Sequence, residues 1–151
     1  MVRLSEMPEP EKLVLLIEDS ADDAFFFKRS LQNAPLRNPV RVVPDIDEAI
    51  RYFEGTAQYA DRSLFPLPSI AVIDLNVPRN DGFDLVKWLR ARPEFHHLHI
   101  IVVSGVNRMQ DITRAYQLGA SSFLTKPVTP EDLRQLANAF PEYWRVASHP
   151  C

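Results

Sequence analysis

The stretch Leu13-Val14-Leu15-Leu16-Ile17-Glu18-Asp19 decides how this chain folds. Five consecutive apolar residues are the pattern of a strand buried on both faces, as in a parallel sheet covered by helices. Two adjacent carboxylates then end the run abruptly, so the strand delivers charge at its carboxyl end. Ser20 follows as a helix cap, with Asp22 and Asp23 in the acidic first turn of a helix that extends to about Asn33. Those two acids serve the cap and the helix dipole and are not expected to be ligands.

Outward from this unit the pattern repeats. Pro35 and Pro39 break the chain before a short strand over residues 40–43. Asp45 and Glu48 stand at capping-box spacing, and Ile46, Ala49, Ile50 and Phe53 continue at helical intervals to Gly55. Residues 56–68, with mixed polarity and two prolines, read as an extended loop. Ile70-Ala71-Val72-Ile73 forms a third strand ending in Asp74. Asp81 and Gly82 precede a helix carrying Phe83, Leu85, Val86, Trp88 and Leu89, which stops near Pro93. A fourth strand over 100–103 ends at Ser104, and Asn107 caps a helix closed by Gly119. A fifth strand over 122–125 ends at Lys126-Pro127. Thr129, Pro130 and Asp132 open a last helix with cap, first-turn proline and acid in order, and it runs to about Val146. Five alternations of strand and helix predict one α/β domain, a doubly wound parallel sheet with helices on both faces.

Composition narrows the function. The 151 residues suit a domain over 12–147, with a flexible N-terminal tail over 1–11 and a short C-terminal tail over 148–151. Lys and Arg number 17 against 20 Asp and Glu, a net charge of −3, so an overall basic surface for nucleic acid is not expected. No apolar run is long enough to span a membrane, and the Pro- and Glu-rich start does not read as a signal peptide. The lone cysteine, Cys151, can form no internal disulfide, and a cytoplasmic location fits. Four scattered glycines, Gly55, Gly82, Gly105 and Gly119, exclude a dinucleotide fingerprint and a phosphate-binding P-loop. Val102 and Val106 flank Ser104 where a hydrolase elbow needs glycines. His96, His97 and His99 precede the fourth strand, at the opposite sheet edge from the carboxylates, and no metal role is expected of them. In Phe25-Phe26-Phe27, Phe27 joins Ala24 and Leu31 in the core, which leaves Phe25 or Phe26 for a partner.

Open parallel sheets bind ligands beyond the carboxyl ends of their strands. Glu18, Asp19, Asp74, Ser104 and Lys126 all stand at those ends, so the fold gathers three carboxylates, a hydroxyl and an ammonium. Three like charges at close range need protons or a cation to offset their repulsion. With oxygen donors alone, Mg²⁺ is the natural cation. One carboxylate can then attack phosphorus while metal and lysine neutralise the phosphoryl oxygens, and the Ser104 hydroxyl can bond one of them.

The segments Glu18-Asp19, Asp74-Leu75-Asn76-Val77-Pro78, Asp81-Gly82, Ser104-Gly105 and Phe123-Leu124-Thr125-Lys126-Pro127 resemble the receiver domain of two-component response regulators. The resemblance covers residues 13–146 and implies the flavodoxin-like, CheY-like (βα)5 fold with strand order 2-1-3-4-5. It implies Asp74 as phosphoacceptor, and Mg²⁺ held by Glu18 through a water, Asp19, Asp74 and the backbone carbonyl of Asn76. It implies that Lys126, ahead of a cis bond to Pro127, pairs with the phosphoryl group. Ser104 and Phe123 are then the switch pair that reshapes the surface of the fourth helix, fifth strand and fifth helix. The acidic pair is Glu-Asp where Asp-Asp is commoner, and the switch aromatic is Phe where Tyr also occurs, which removes one hydrogen bond from the output face.

The loop over 56–68 and the ending Phe140-Pro141-Glu142-Tyr143-Trp144 resemble single-domain regulators whose partner is a phytochrome-type histidine kinase, a bacteriophytochrome among them. Such a protein is no enzyme beyond promoting its own phosphorylation and dephosphorylation. The chain ends just after the fifth helix, so output through protein contacts is expected. Ile112 and Tyr116, with Phe140, Tyr143 and Trp144, offer apolar surface for a homodimer. A phosphatase of the haloacid-dehalogenase type would need an acid where Asn76 stands. An interaction module that no longer takes phosphate would be expected to have lost the nucleophile, the lysine or the acidic pair.

Overall fold

The apolar run forms β1 (Val14–Ile17), and all four of its residues are buried. The structure, a computed structural model, describes residues 12–77 and 82–147. After β1 come α1 (Ala21–Asn33), β2 (Val40–Val43), α2 (Ile46–Glu54), β3 (Ile70–Asp74), α3 (Gly82–Arg90), β4 (His99–Ser104), α4 (Met109–Leu118), β5 (Ser122–Thr125) and α5 (Pro130–Ala139). The strands form one parallel sheet in the order β2-β1-β3-β4-β5. Alternation along β1 divides the core in two. Val14 and Leu16 pack with Ala24, Phe27 and Leu31 of α1 and with Leu133 and Leu136 of α5. Leu15 and Ile17 pack on the other face, against residues of α2, α3 and α4.

Register makes the strand ends level. Ile17 lies beside Val43 and Ile73, Asp74 beside Val103, and Ser104 beside Thr125. The residues that follow or finish β1, β3, β4 and β5 therefore meet at one edge. The caps that position the helices match the sequence pattern at three places. Ser20 accepts from the Asp23 N–H, Asp45 accepts from the Glu48 N–H at 2.8 Å, and Thr129 forms a complete capping box with Asp132. Gly55, with φ of +70°, closes α2 in the left-handed conformation that glycine tolerates without strain.

Three expectations need correction. Asn107 does not cap the fourth helix. The backbone stays extended through Arg108, which holds the cap position without a side-chain bond. The segment 56–68 is not simply extended. It contains a 3-10 turn over Ala57–Tyr59, buries Tyr59 against Tyr52 at a ring distance of 4.8 Å, and is tied down by Arg62. The Arg62 guanidinium donates to the carbonyls of Tyr52 and Phe53, each at 2.8 Å, at the carboxyl end of α2, where helix carbonyls run short of intrahelical partners.

The last helix stops at Ala139, short of Val146. Pro141 is the cause: it lacks an N–H and pushes the preceding Phe140 out of helical geometry, to φ −131° and ψ 61°. The chain then folds back over the amino edge of the sheet. Asn38 donates to the carbonyls of Lys12 and Tyr143, and Val146 bridges antiparallel to Leu36. Trp144 is buried, and Phe140 and Tyr143 lay their rings on His99, at 4.3 and 4.8 Å. These three aromatics complete the protein's own core and are not a free dimer surface. Tyr116 remains half exposed. The tails 1–11 and 148–151, with Cys151, and Pro78 and Asp81 of the motifs lie outside the described residues.

His99 opens β4 and is 2 % exposed, while His96 and His97 are exposed. Its Nε2 has no hydrogen-bond partner among the described residues. Burial pushes the imidazole down from 6.5 to about 4, with Glu142 and Arg90 acting in opposite senses. The folded state thus prefers the neutral ring. Its stabilising contribution is whole above the unfolded value of 6.5 and is lost as the pH falls toward 4. Between pH 7 and pH 5 the loss amounts to about 2 kcal/mol. Urea unfolding at both pH values should show that, on going from pH 7 to pH 5, the wild type loses about 2 kcal/mol more than His99→Leu, since every other titrating group is common to the two proteins. An equal pH response in the two proteins would refute the assignment.

Candidate functional site

Four of the five strands, β1, β3, β4 and β5, contribute one group each at the carboxyl edge. Glu18, just after β1, is buried, and its N–H still donates to the Val43 carbonyl at 3.0 Å, so it continues the ladder. Its Oε2 accepts from the Ser20 N–H at 3.2 Å and its Oε1 from Lys126 Nζ at 2.8 Å. Asp74 ends β3 and is also buried. Its Oδ1 accepts the Asn76 N–H at 2.9 Å, wrapping the following turn around the carboxylate, and its Oδ2 accepts from Lys126 Nζ at 2.7 Å. Ser104 ends β4, buried, with its Oγ accepting the Val106 N–H at 3.2 Å. Lys126 follows β5, its own N–H donating to the Ser104 carbonyl at 2.8 Å, and its bond to Pro127 is cis. Gly82 starts α3 so close to β3 that a Cβ there would lie 3.1 Å from the Asp74 carbonyl oxygen.

A third carboxylate comes from a helix. Asp23 Oδ2 accepts from Lys126 Nζ at 2.8 Å, and one oxygen from each of Glu18, Asp23 and Asp74 fits within a 4.8 Å group. This corrects the reading of Asp23 as a cap and dipole residue alone. Its backbone N–H does belong to the cap, but its side chain reaches across 103 residues of sequence. The available signal was its spacing. Asp23 lies four residues before Phe27, on the margin of the stripe that α1 buries.

The structure thus brings Glu18, Asp74 and Lys126 together as expected, with Ser104 on the adjoining strand end. Asp19 is exposed and stands outside the carboxylate trio. Asn76 is exposed, and its backbone N–H is committed to Asp74. Phe123 is half-buried against the core on the α2, α3 and α4 side, its N–H donating to the Tyr116 hydroxyl at 3.2 Å.

Electrostatics follows from burial and crowding. Burial pushes Glu18 up to about 7; the hydrogen bond from Lys126 pulls it down and neighbouring Asp74 raises it again. For Lys126, burial acts downward, but its hydrogen bonds to Asp23, Asp74 and Glu18 outweigh that and hold it above the ordinary lysine value. Three carboxylates against one ammonium leave a net negative pocket of oxygen donors. Hard divalent cations satisfy such a donor set, so these residues fit one. The same groups edge a cavity of about 350 Å³ floored by Phe27, Val72 and Val103.

Comparison with known proteins agrees with this arrangement. Residues 14–138 match the family model of the response regulator receiver domain. Response regulator Rcp1 of a Synechocystis species is 23% identical over 141 residues, 93% of this chain and 94% of that protein. Among solved structures, the response regulator RPA3017 "in red light signaling of R. palustris" superposes with a TM-score of 0.79 at 30% identity, covering 91% of this chain and 99% of that one. The phosphorylated cyanobacterial phytochrome response regulator RcpA gives 0.73 at 26% identity, over 89% and 94% of the two chains. Receiver domains accept phosphate from histidine kinases and bind a divalent metal at an acidic pocket. In sequence, strand order and acidic pocket alike, this chain belongs to the response regulator receiver family.

Proposed function

We propose that this chain is a phosphorylation-dependent switch in which Asp74 accepts a phosphoryl group from the phosphohistidine of a histidine kinase. The observation that carries this reading is the 2.7 Å contact between Lys126 Nζ and Asp74 Oδ2, at the end of a buried strand and beside a second buried carboxylate. An Asp74 oxygen attacks phosphorus, the N–P bond of the donor breaks, and the histidine leaves with its electron pair, giving an aspartyl phosphate. Lys126 holds the phosphoryl oxygens and orients the Asp74 carboxylate through their 2.7 Å contact. Glu18, Asp19, Asp74 and the Asn76 carbonyl would hold Mg²⁺, which would supply charge neutralisation for the transferring group. The same pocket positions water for the later hydrolysis, so the chain promotes only its own phosphorylation and dephosphorylation.

In the switched state the Ser104 hydroxyl leaves the Val106 N–H for a phosphoryl oxygen, and Phe123 turns inward behind it. That movement alters the face of α4, β5 and α5, where Met109 is 75% exposed and Tyr116 is 49% exposed. The output passes through protein contacts on this face, and Ile112 and Tyr116 there are the remaining candidates for contact with a second copy. A phytochrome-type kinase is the partner we favour, on the likeness to the R. palustris and cyanobacterial regulators. The ATP that charges such a kinase places the exchange in the cytoplasm. No helix among the described residues is long and apolar enough to cross a membrane. A phosphatase of the haloacid-dehalogenase type is disfavoured because Asn76 has no proton to give a leaving group.

Intact mass after incubation with acetyl phosphate tests the acceptor. The wild type should gain one phosphoryl group in the presence of Mg²⁺ and none with chelator, and Asp74→Asn should gain none under either condition. An adduct on Asp74→Asn, or none on the wild type in the cold with Mg²⁺, would overturn the reading. The cation has its own test. Mg²⁺ at about ten times its dissociation constant should raise unfolding free energy by about 1.4 kcal/mol in urea titration. Chelator should abolish the gain, and Glu18→Gln should reduce it.

A further inference from the structure

The motif Ser/Thr-x-x-Asp occurs at the start of two helices, and its acid does different things in each. At α5 the box is complete: Thr129 accepts the Asp132 N–H, and the Asp132 carboxylate accepts the Thr129 N–H at 3.0 Å. At α1 only half of it forms. Ser20 Oγ accepts the Asp23 N–H at 3.2 Å, but the Ser20 N–H donates to Glu18, not to Asp23. Glu18 has taken the local partner of Asp23, and the freed carboxylate bonds Lys126 at 2.8 Å instead.

Lys126 is thereby saturated. An ammonium has three N–H donors, and Glu18, Asp23 and Asp74 lie at 2.8, 2.8 and 2.7 Å. Phosphorylation passes the Asp74 bond to one of its own phosphoryl oxygens, and a second phosphoryl oxygen can claim a donor only if Glu18 or Asp23 lets go. Glu18 is nearly dry, its side chain 4% exposed, and would lose a bond with little water to replace it. The Asp23 side chain is 44% exposed and can be hydrated on release. It is the partner that yields.

We propose that Asp23 is a positioning residue that holds Lys126 in the unphosphorylated protein and competes with the phosphoryl group for its ammonium. This rests on Asp74 being the acceptor. The contact also fastens the first turn of α1 to the loop between β5 and α5, so displacement of Asp23 unties those two segments at the mouth of the pocket. Acting through Lys126, Asp23 sets how readily the switch is thrown.

The test uses the full chain and beryllofluoride as a phosphoryl mimic. Its affinity is read by fluorine NMR in saturating Mg²⁺, and Mg²⁺ affinity alone is read by calorimetry. Asp23→Ala should bind beryllofluoride about five-fold more tightly, the size of a half-exposed charge-assisted bond, with Mg²⁺ affinity changed by less than about two-fold. Asp22→Ala, an exposed acid one residue away, reports the bare effect of removing a charge and should change beryllofluoride affinity by less than about two-fold. Equal beryllofluoride affinity in wild type and Asp23→Ala, or an equal gain in Asp22→Ala, would overturn the proposal. So would a loss of Mg²⁺ affinity of about ten-fold in Asp23→Ala, which would make Asp23 a ligand. A wild type that binds neither beryllofluoride nor a phosphoryl group would overturn the acceptor reading itself, whatever the variants do.

Discussion

The Lys126 ammonium, bonded at once to Glu18, Asp23 and Asp74, is the interaction on which the carboxyl edge of this protein depends. Glu18 and Asp74 are carboxylates at the ends of wholly buried strands, and a charge in that setting is strongly disfavoured unless paired. One cation serves three anions, so the pocket holds together while remaining short of positive charge. That deficit is what makes it receptive to a divalent cation, and the crowding shows in Glu18, which burial and Asp74 push up to about 7 against the pull of Lys126. The lysine also joins elements far apart in the chain, its three partners lying 108, 103 and 52 residues away.

Parallel register is what makes this concentration of charge available. The strands β1 and β3 run level, and the ladder continues one residue beyond β1 through the Glu18 N–H. The same ladder carries Lys126 past β5 through its N–H to Ser104. Backbone hydrogen bonds therefore fix where Glu18, Asp74, Ser104 and Lys126 stand, independently of the contacts their side chains make. Asp23 differs in kind. It rides on the first turn of α1, reaches the group from the side, and is the more hydrated partner, which is why it can respond where the strand-end residues hold fast.

The opposite edge of the sheet is built on other terms. There Pro141 ends α5, and Phe140, Tyr143 and Trp144 close over His99, a polar ring kept neutral by burial. Antiparallel pairing of Val146 with Leu36 and the Asn38 bonds secure the returning chain. The amino edge is sealed by aromatics, and the polar chemistry is confined to the carboxyl edge.

Much of this was legible in the residues themselves. Strand and helix order, the Ser20, Asp45 and Thr129 caps, the burial of Ala24, Phe27 and Leu31, and the meeting of Glu18, Asp74 and Lys126 follow from local patterns. Apolar runs, cap spacing and strand-end polarity are written within a few residues, and parallel topology brings strand ends together without further instruction. What the tertiary structure alone decided lies where local rules allow two outcomes. Asp23 and Asp132 share one motif, but only at α1 does Glu18 occupy the cap N–H and a lysine from β5 stand within reach. Asp19 and Glu18 are neighbours, but only Glu18 faces the cluster. The late aromatics read as surface while the helix was taken through Pro141, and they became core once the chain turned back onto His99. In each case the deciding partner lies far along the sequence, and a contact between distant residues exists only after the sheet has set both in place.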